Sequence, residues 1–209
     1  MAGCTVRVLQ DSNRTLDIIT AEEISAQTQL RALLDGGLFG IDDEARALFA
    51  DRPTLADVDL AALRGRPATS LGGAFARFLE KNGLDYGLTK QPTPHTPDPD
   101  AAWLLHRLRQ SHDLWHVLVG LGVRGHEEVL IHAFSLGQTG MPTSIMIAAL
   151  GGVKHLVLEK RWRDLLGLRR AYRLGRRARP LLAVYWERHW DEPVEQVRAR
   201  YGVEPYRAS

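Results

Sequence analysis

The sequence predicts an all-α protein, a single-domain irregular helical bundle over residues 1–209. Three observations predict it. Apolar residues recur at helical spacing through most of the chain. Alternating Val/Ile-rich runs with hairpin turns are scarce, and residues 5–10 offer only a weak strand-like stretch. A chain of 209 residues, 44% hydrophobic and 25% charged, buries a sizeable core without staples.

The elements follow in order. Ala45, Leu48 and Phe49 share one helical face, and Leu71, Phe75, Phe78 and Leu79 share another. Residues 91–100 hold Pro92, Pro94, Pro97 and Pro99, which excludes helix and central strand and makes this a linker. It leads into a helix start: Asp98 can cap, Pro99 suits the first position, and Asp100 favours the positive helix end. A long helix is expected over about residues 99–121, with Trp103, Leu104, Leu108, Trp115 and Val119 among its apolar positions. Gly120, Gly122 and Gly125 break it. A second helix over residues 126–137, a turn over 138–142 and a very apolar third helix from Pro142 toward Lys160 come next. A basic helical stretch, a Trp/Tyr-rich helix over residues 180–190 and a short tail helix after Pro193 close the chain.

The net charge of +2 hides an asymmetry. Residues 1–100 carry 10 Lys/Arg and 15 Asp/Glu, whereas residues 101–209 carry 17 and 10. An anionic partner for the second half is therefore expected. Cys4 is the only cysteine, which rules out an intrachain disulfide and fits a reducing compartment. Residues 1–10 lack a long apolar run and are followed by Asp11 and Asp17, unlike a secretory signal or an acid-poor transit peptide. The apolar run at residues 145–150 falls far short of the ~20 residues that span a bilayer.

The densest chemical cluster is Ser111-His112-Asp113-Leu114-Trp115-His116. Four residues apart on a helix, His112 and His116 share a face, the geometry by which two imidazoles grip one metal ion. Asp113 is either a third ligand or a carboxylate that orients a ring nitrogen. Glu128 reaches the pair if the glycine-rich break turns the chain back. Such donors suit Zn²⁺, with Fe²⁺, Mn²⁺ or Mg²⁺ as alternatives, over Ca²⁺. A His pair at this spacing is also common as a plain surface pair. His132, one turn beyond Glu128, either packs in the core or lines the same pocket. His106 and His155 are isolated and read as structural, and Glu127 reads as solvated. Residues 154–179 hold 10 Lys/Arg against Glu159 and Asp164, interleaved with Trp162, Leu166, Tyr172 and other apolar residues. This suits an anionic membrane surface better than nucleic acid, for which no motif is present. A solvated charged face is the competing reading.

These residues together resemble the ubiquinone (coenzyme Q) biosynthesis family formed by the fourth protein of that pathway. The family pattern is a His-Asp pair, two residues, a second His, eleven residues and a Glu. Here it is His112, Asp113, His116 and Glu128, with Gly120 in place. The match continues through Phe134 and Gln138-Thr139-Gly140-Met141-Pro142. It resumes at Gly175-Arg176-Arg177-Ala178 and Tyr185-Trp186-Glu187-Arg188-His189-Trp190. Upstream, Ser70-Leu71-Gly72 and Arg77-Phe78-Leu79 before Asn82 also fit. The resemblance spans roughly residues 66–205, with a divergent region at 1–65. His126 stands where Gly is usual, and His189 replaces a commonly basic residue.

The resemblance implies a metal, usually zinc, held by His112, Asp113, His116 and Glu128. It implies peripheral action at a membrane on a polyprenylated aromatic acid. The implied reaction removes the ring carboxylate at C1, in some accounts coupled to hydroxylation. The metal would act as a Lewis acid, with His132 or a coordinated water as candidate proton donor. Ile145, Met146 and Leu150 would line a groove for the isoprenoid tail, with Gly151 and Gly152 permitting close approach, or else form core. Arg169, Arg170, Arg173, Arg176 and Arg177 would meet headgroups. Association with other ubiquinone-biosynthesis proteins, and a homodimer, are the expected protein partners. The expected location is cytoplasmic, on the inner membrane face, or on the matrix face of the mitochondrial inner membrane in a eukaryote. Two other classes compete: a non-enzymatic prenyl-lipid-binding organiser, and a metal-dependent phosphohydrolase. The phosphohydrolase would need His106 and Asp164, which fall in no persuasive pattern.

Overall fold

The helix that carries the histidine pair lies at the centre of the fold. The computed structural model describes residues 15–84, 86–157 and 163–207, so the stretch at residues 5–10 and Cys4 lie outside it. The α-helices, numbered in chain order, are α1 (Thr15–Asp35), α2 (Asp43–Asp51), α3 (Leu60–Arg64), α4 (Leu71–Asn82), α5 (Pro99–Val119), α6 (Gly125–Thr139), α7 (Pro142–Val157), α8 (Arg163–Arg177) and α9 (Val194–Tyr201). Short 3₁₀ turns join them, and an isolated bridge between Ser70 and Pro193 is the only β pairing among the described residues. The fold class is all-α, as the sequence predicts.

Asp98 caps α5 through the amides of Asp100 and Ala101, with Pro99 in the first turn. Helix α5 is buried almost all round, by Leu104, Leu105, Leu108, Leu114, Trp115, Leu118 and Val119. Helices α1 and α4 pack against it, and α6 lies between α7 and α8. Central placement means that the polar residues of α5 must find partners inside. Arg107 pairs with both oxygens of Glu187, at 2.6 and 3.0 Å, and donates to the Val184 carbonyl. Gln110 accepts from the Leu55 amide and donates to Thr54. These bonds leave the motif face of α5 in one orientation.

Helices α6 and α8 cross at two glycines. A Cβ on Gly175 would lie 2.1 Å from the Phe134 carbonyl oxygen, and one on Gly137 would lie 2.4 Å from that of Tyr172. Gln138 locks the crossing by donating to the Gly175 carbonyl while accepting from the Leu181 amide.

Two expectations change. Helix α6 continues through Thr139, so the turn expected at 138–142 narrows to Gly140, with φ of 68°, and Met141. Residues 180–190 form two 3₁₀ turns, Leu181–Ala183 and Trp186–Arg188, instead of an α-helix. Side chains take over the backbone bonds there: Glu44 accepts from the Tyr185 amide and Arg107 donates to the Val184 carbonyl. The region at 1–65, divergent from the family pattern, is nonetheless bound into the bundle through α1 and α2. Glu22 of α1 pairs with Arg109 at 2.8 Å, and Glu44 of α2 reaches His189 at 2.6 Å. The short tail helix after Pro193 is α9.

Candidate metal centre

Helix α5 ends at Gly120, whose φ of 75° suits glycine and reverses the chain. The amides of Gly120 and Leu121 both bond the His116 carbonyl, at 2.8 and 3.1 Å. Glu127 then closes the turn, accepting from the amides of Gly122 and Arg124 at 2.9 and 3.1 Å. Its expected solvated role is thus corrected: it caps the start of α6. The hairpin sets Glu128 opposite the histidine pair, as the glycine-rich break suggested.

His112 Nε2 and His116 Nε2 lie 3.2 Å apart. Glu128 Oε2 is 3.6 Å from the first and Oε1 is 3.5 Å from the second. Three such donors fit a shared ion, since metal–nitrogen bonds of about 2.0–2.1 Å in a tetrahedron place ligand atoms roughly 3.3–3.4 Å apart. His116 Nδ1 sits 3.3 Å from the Leu121 carbonyl oxygen. A carbonyl only accepts, so Nδ1 carries the proton and Nε2 presents its lone pair to the centre. Phe78 stacks on the His116 ring, centroids 5.5 Å apart at 27°. A cleft lined by Phe78, Lys81, Asn82, Gly120 and Gly122 runs alongside this ring.

The charges at the site are coupled. Burial would raise the Glu128 carboxyl, but hydrogen bonds and charge from His112 and His116 hold it well below the usual carboxylate range. Burial would lower His112, but the Glu128 hydrogen bond and the charges of Glu128, Asp113 and Glu22 raise it. A metal therefore competes with a proton for His112. His132 is pushed down to about 3 by burial and by the neighbouring His112, so its ring is neutral near pH 7. Its ring lies 5.1 Å from that of His112, and its Nδ1 lies 3.5 Å from Ser144 Oγ.

The ligand atoms within 4.8 Å of one another belong to His112, His116 and Glu128. Asp113 is not in that group. Burial raises its carboxyl, which the charges of His112 and His116 partly offset, so it senses the centre without joining the close group. His106 Nδ1 faces the Thr89 carbonyl at 3.3 Å, away from the trio, and the side chains of His155 and Asp164 lie outside the described residues. Gly151 packs against α6, in keeping with the core alternative: a Cβ there would meet Val129 at 2.2 Å. Ile145 and Leu150 are surface residues, and Met146 is half-buried. Arg169, Arg170, Arg173, Arg176 and Arg177 are all exposed on α8, beside Leu166 and Tyr172. Sequence reasoning missed two contributors. Phe78 lies in a quoted motif whose role was unread, and the Leu121 carbonyl has no side-chain signal at all.

The fold and the site thus define a helical protein with a two-histidine, one-carboxylate centre suited to a divalent metal ion. The chain belongs to the coenzyme Q (ubiquinone) biosynthesis protein Coq4 family, whose model matches residues 1–207. The match therefore extends through the divergent region at 1–65. A ubiquinone biosynthesis protein COQ4, mitochondrial, from Coprinopsis cinerea is 28% identical over 97% of this chain and 69% of its own length. The mitochondrial COQ4 homolog of Rattus norvegicus is 32% identical over 78% of this chain, which spans 62% of that relative. COQ4 homolog 1 of Culex quinquefasciatus, also called mitochondrial, is 32% identical, and the chain covers 59% of it. A crystal structure of a Nostoc punctiforme protein, provisionally assigned to ubiquinone biosynthesis, superposes with a TM-score of 0.75 and 27% identity. That likeness covers 96% of this chain and 95% of the other. No described helix is long and apolar enough to cross a membrane.

Proposed function

We propose that this ubiquinone-biosynthesis protein removes the ring carboxylate of a polyprenylated hydroxybenzoate at a membrane surface. The observation that carries the reading is the His112, His116 and Glu128 trio, with ligand atoms within 4.8 Å of one another. A divalent ion held there, zinc or one of Fe²⁺, Mn²⁺ and Mg²⁺, supplies Lewis-acid chemistry toward a carboxylate or phenolic oxygen. In the reaction, the bond from ring carbon to carboxylate breaks, CO₂ leaves and the ring carbon takes a proton. A para-hydroxyl on the ring makes that carbon basic enough to accept it. His132, whose ring is neutral near pH 7, is assigned the relay of that proton from water, accepting at one ring nitrogen as it gives from the other beside His112 and Ser144. Phe78 walls the cleft beside His116, where an aromatic ring can stack. Asp113 orients the imidazoles by charge.

The surface supports the location. Leu166 is 62% exposed and Ile145 52% exposed, and the arginines of α8 flank the former. Apolar residues among cations suit an anionic lipid surface. This face equally supports the second reading, an organiser that holds prenyl lipid for other enzymes of the pathway. Turnover separates the two. His116→Ala is expected to lose metal and to lose turnover of a prenylated hydroxybenzoate together. A variant that loses metal and keeps full turnover overturns the Lewis-acid role. A wild-type protein that binds the lipid without turning it over favours the organiser. Neutralising Arg169, Arg170, Arg173, Arg176 and Arg177 is expected to abolish flotation with anionic liposomes, and unchanged flotation sinks the membrane reading.

A further inference from the structure

The last turn of α5 is held from outside by the C-terminal segment. Arg198 of α9 donates from Nε to the Leu118 carbonyl at 2.7 Å and from Nη2 to the Val117 carbonyl at 3.0 Å. The Tyr206 amide donates to the Val119 carbonyl at 2.8 Å. Three successive carbonyls that a helix end leaves open are thus filled by residues some 80 positions away in sequence. Glu195 braces the fork by pairing with Arg198 Nη1. The carbonyl just before these three is that of His116, which the turn amides of Gly120 and Leu121 hold. The same turn presents the Leu121 carbonyl to His116 Nδ1.

We infer that Arg198 is a positioning residue for the metal ligand His116, acting through the carbonyls of Val117 and Leu118. The guanidinium fixes the end of α5, and the end of α5 fixes where Gly120 and Leu121 turn. The turn sets the Leu121 carbonyl that holds the His116 tautomer, and the tautomer sets the lone pair on Nε2. A planar fork suits this task because its donors diverge at a set angle, whereas an ammonium is a point donor. The buried carbonyls also place a cation at the negative end of α5. Coupling runs both ways, so an ion on His116 steadies the docking of α9. The inference rests on the reading of His112, His116 and Glu128 as metal ligands.

Co²⁺ titration of the full chain tests it, read by the visible d–d bands and with thermal melts of the metal-free proteins alongside. Wild type is expected to take up Co²⁺ at the trio. Arg198→Ala is expected to bind roughly 10–100-fold more weakly, the usual loss when a group behind a ligand is removed. Its bands are expected to shift, and band position reports ligand geometry, which a general loss of stability does not move. Arg198→Lys keeps the charge without the fork and is expected to fall between; it carries the same readout if Arg198→Ala does not fold. Unchanged affinity and unchanged bands in a folded variant overturn the clamp and leave the metal site standing. A wild-type protein that takes up no Co²⁺ overturns the metal reading, and this inference with it.

Discussion

At the residue scale, spacing and contact give different weights to the four motif residues. His112 and His116 share a face by helical periodicity, and Glu128 meets them only because the chain reverses at Gly120. Asp113 is a neighbour by sequence whose carboxyl feels the histidine charges without joining the trio. A difference in metal affinity follows. His112→Ala is expected to lose metal binding outright, while Asp113→Asn keeps it with a smaller loss, on the order of the 10–100-fold that outer groups contribute. Calorimetric titration with Zn²⁺ checks this, and an Asp113→Asn protein that binds no metal would restore Asp113 as a ligand. His189 stands where the family prefers a basic residue, and its neighbours favour its charged form. Glu44 and Glu192 flank its ring at 2.6 and 2.7 Å and raise its pKa against the pull of burial.

At the element scale, family motifs outside the candidate metal centre have packing causes. Gly175 belongs to such a motif because the α6 backbone passes where its Cβ would be. Gly175→Ala must push α8 off α6, and overpacking of this kind costs about 1–3 kcal/mol. A lowered melting temperature with an unchanged metal affinity is the expected result; an unchanged melting temperature would mean the crossing relaxes freely. Ser70, Leu71 and Gly72 meet the other end of the motif series. The amides of Leu71 and Gly72 donate to the carbonyls of Glu192 and Trp190 at 2.8 and 3.0 Å. Motifs far apart in the chain are thus two sides of one contact. The misread element, residues 180–190, has aromatic residues in abundance. Its turns are decided by partners on α2 and α5, which no local pattern displays.

At the scale of the whole molecule, the acidic first half and basic second half meet at the Glu44 network. Burial would raise the Glu44 carboxyl, but hydrogen bonds from His189 and Tyr201 bring it down to about 2. The other groups facing His189 are Glu192, Arg200 and Tyr201. The signs of the two shifts are opposite. A lowered Glu44 stabilises above its unfolded value of 4.5, and this is lost as pH falls toward 2. A raised His189 stabilises below its unfolded value of 6.5, and this is lost as pH climbs through the folded value. Both contributions are complete between about pH 5 and 6. The loss in melting temperature caused by Glu44→Gln is expected to peak there and to shrink on either side. A loss that is the same at every pH would show that the network contributes shape rather than charge.

Periodicity, proline and glycine placement and the cap at Asp98 determined the helical class, the central helix and its reversal, because these are local effects of backbone sterics and hydrogen bonding. The spacing of His112, His116 and Glu128 determined which residues could share an ion. The tertiary structure decided the rest. It dropped Asp113 from the close group, set Gly151 against α6 and made Glu127 a cap. It also tied residues 15–65 into the bundle and placed Arg198 behind His116. Each of these depends on which surfaces meet across long stretches of chain. Such meetings are settled by packing volume and by the need to satisfy buried polar groups.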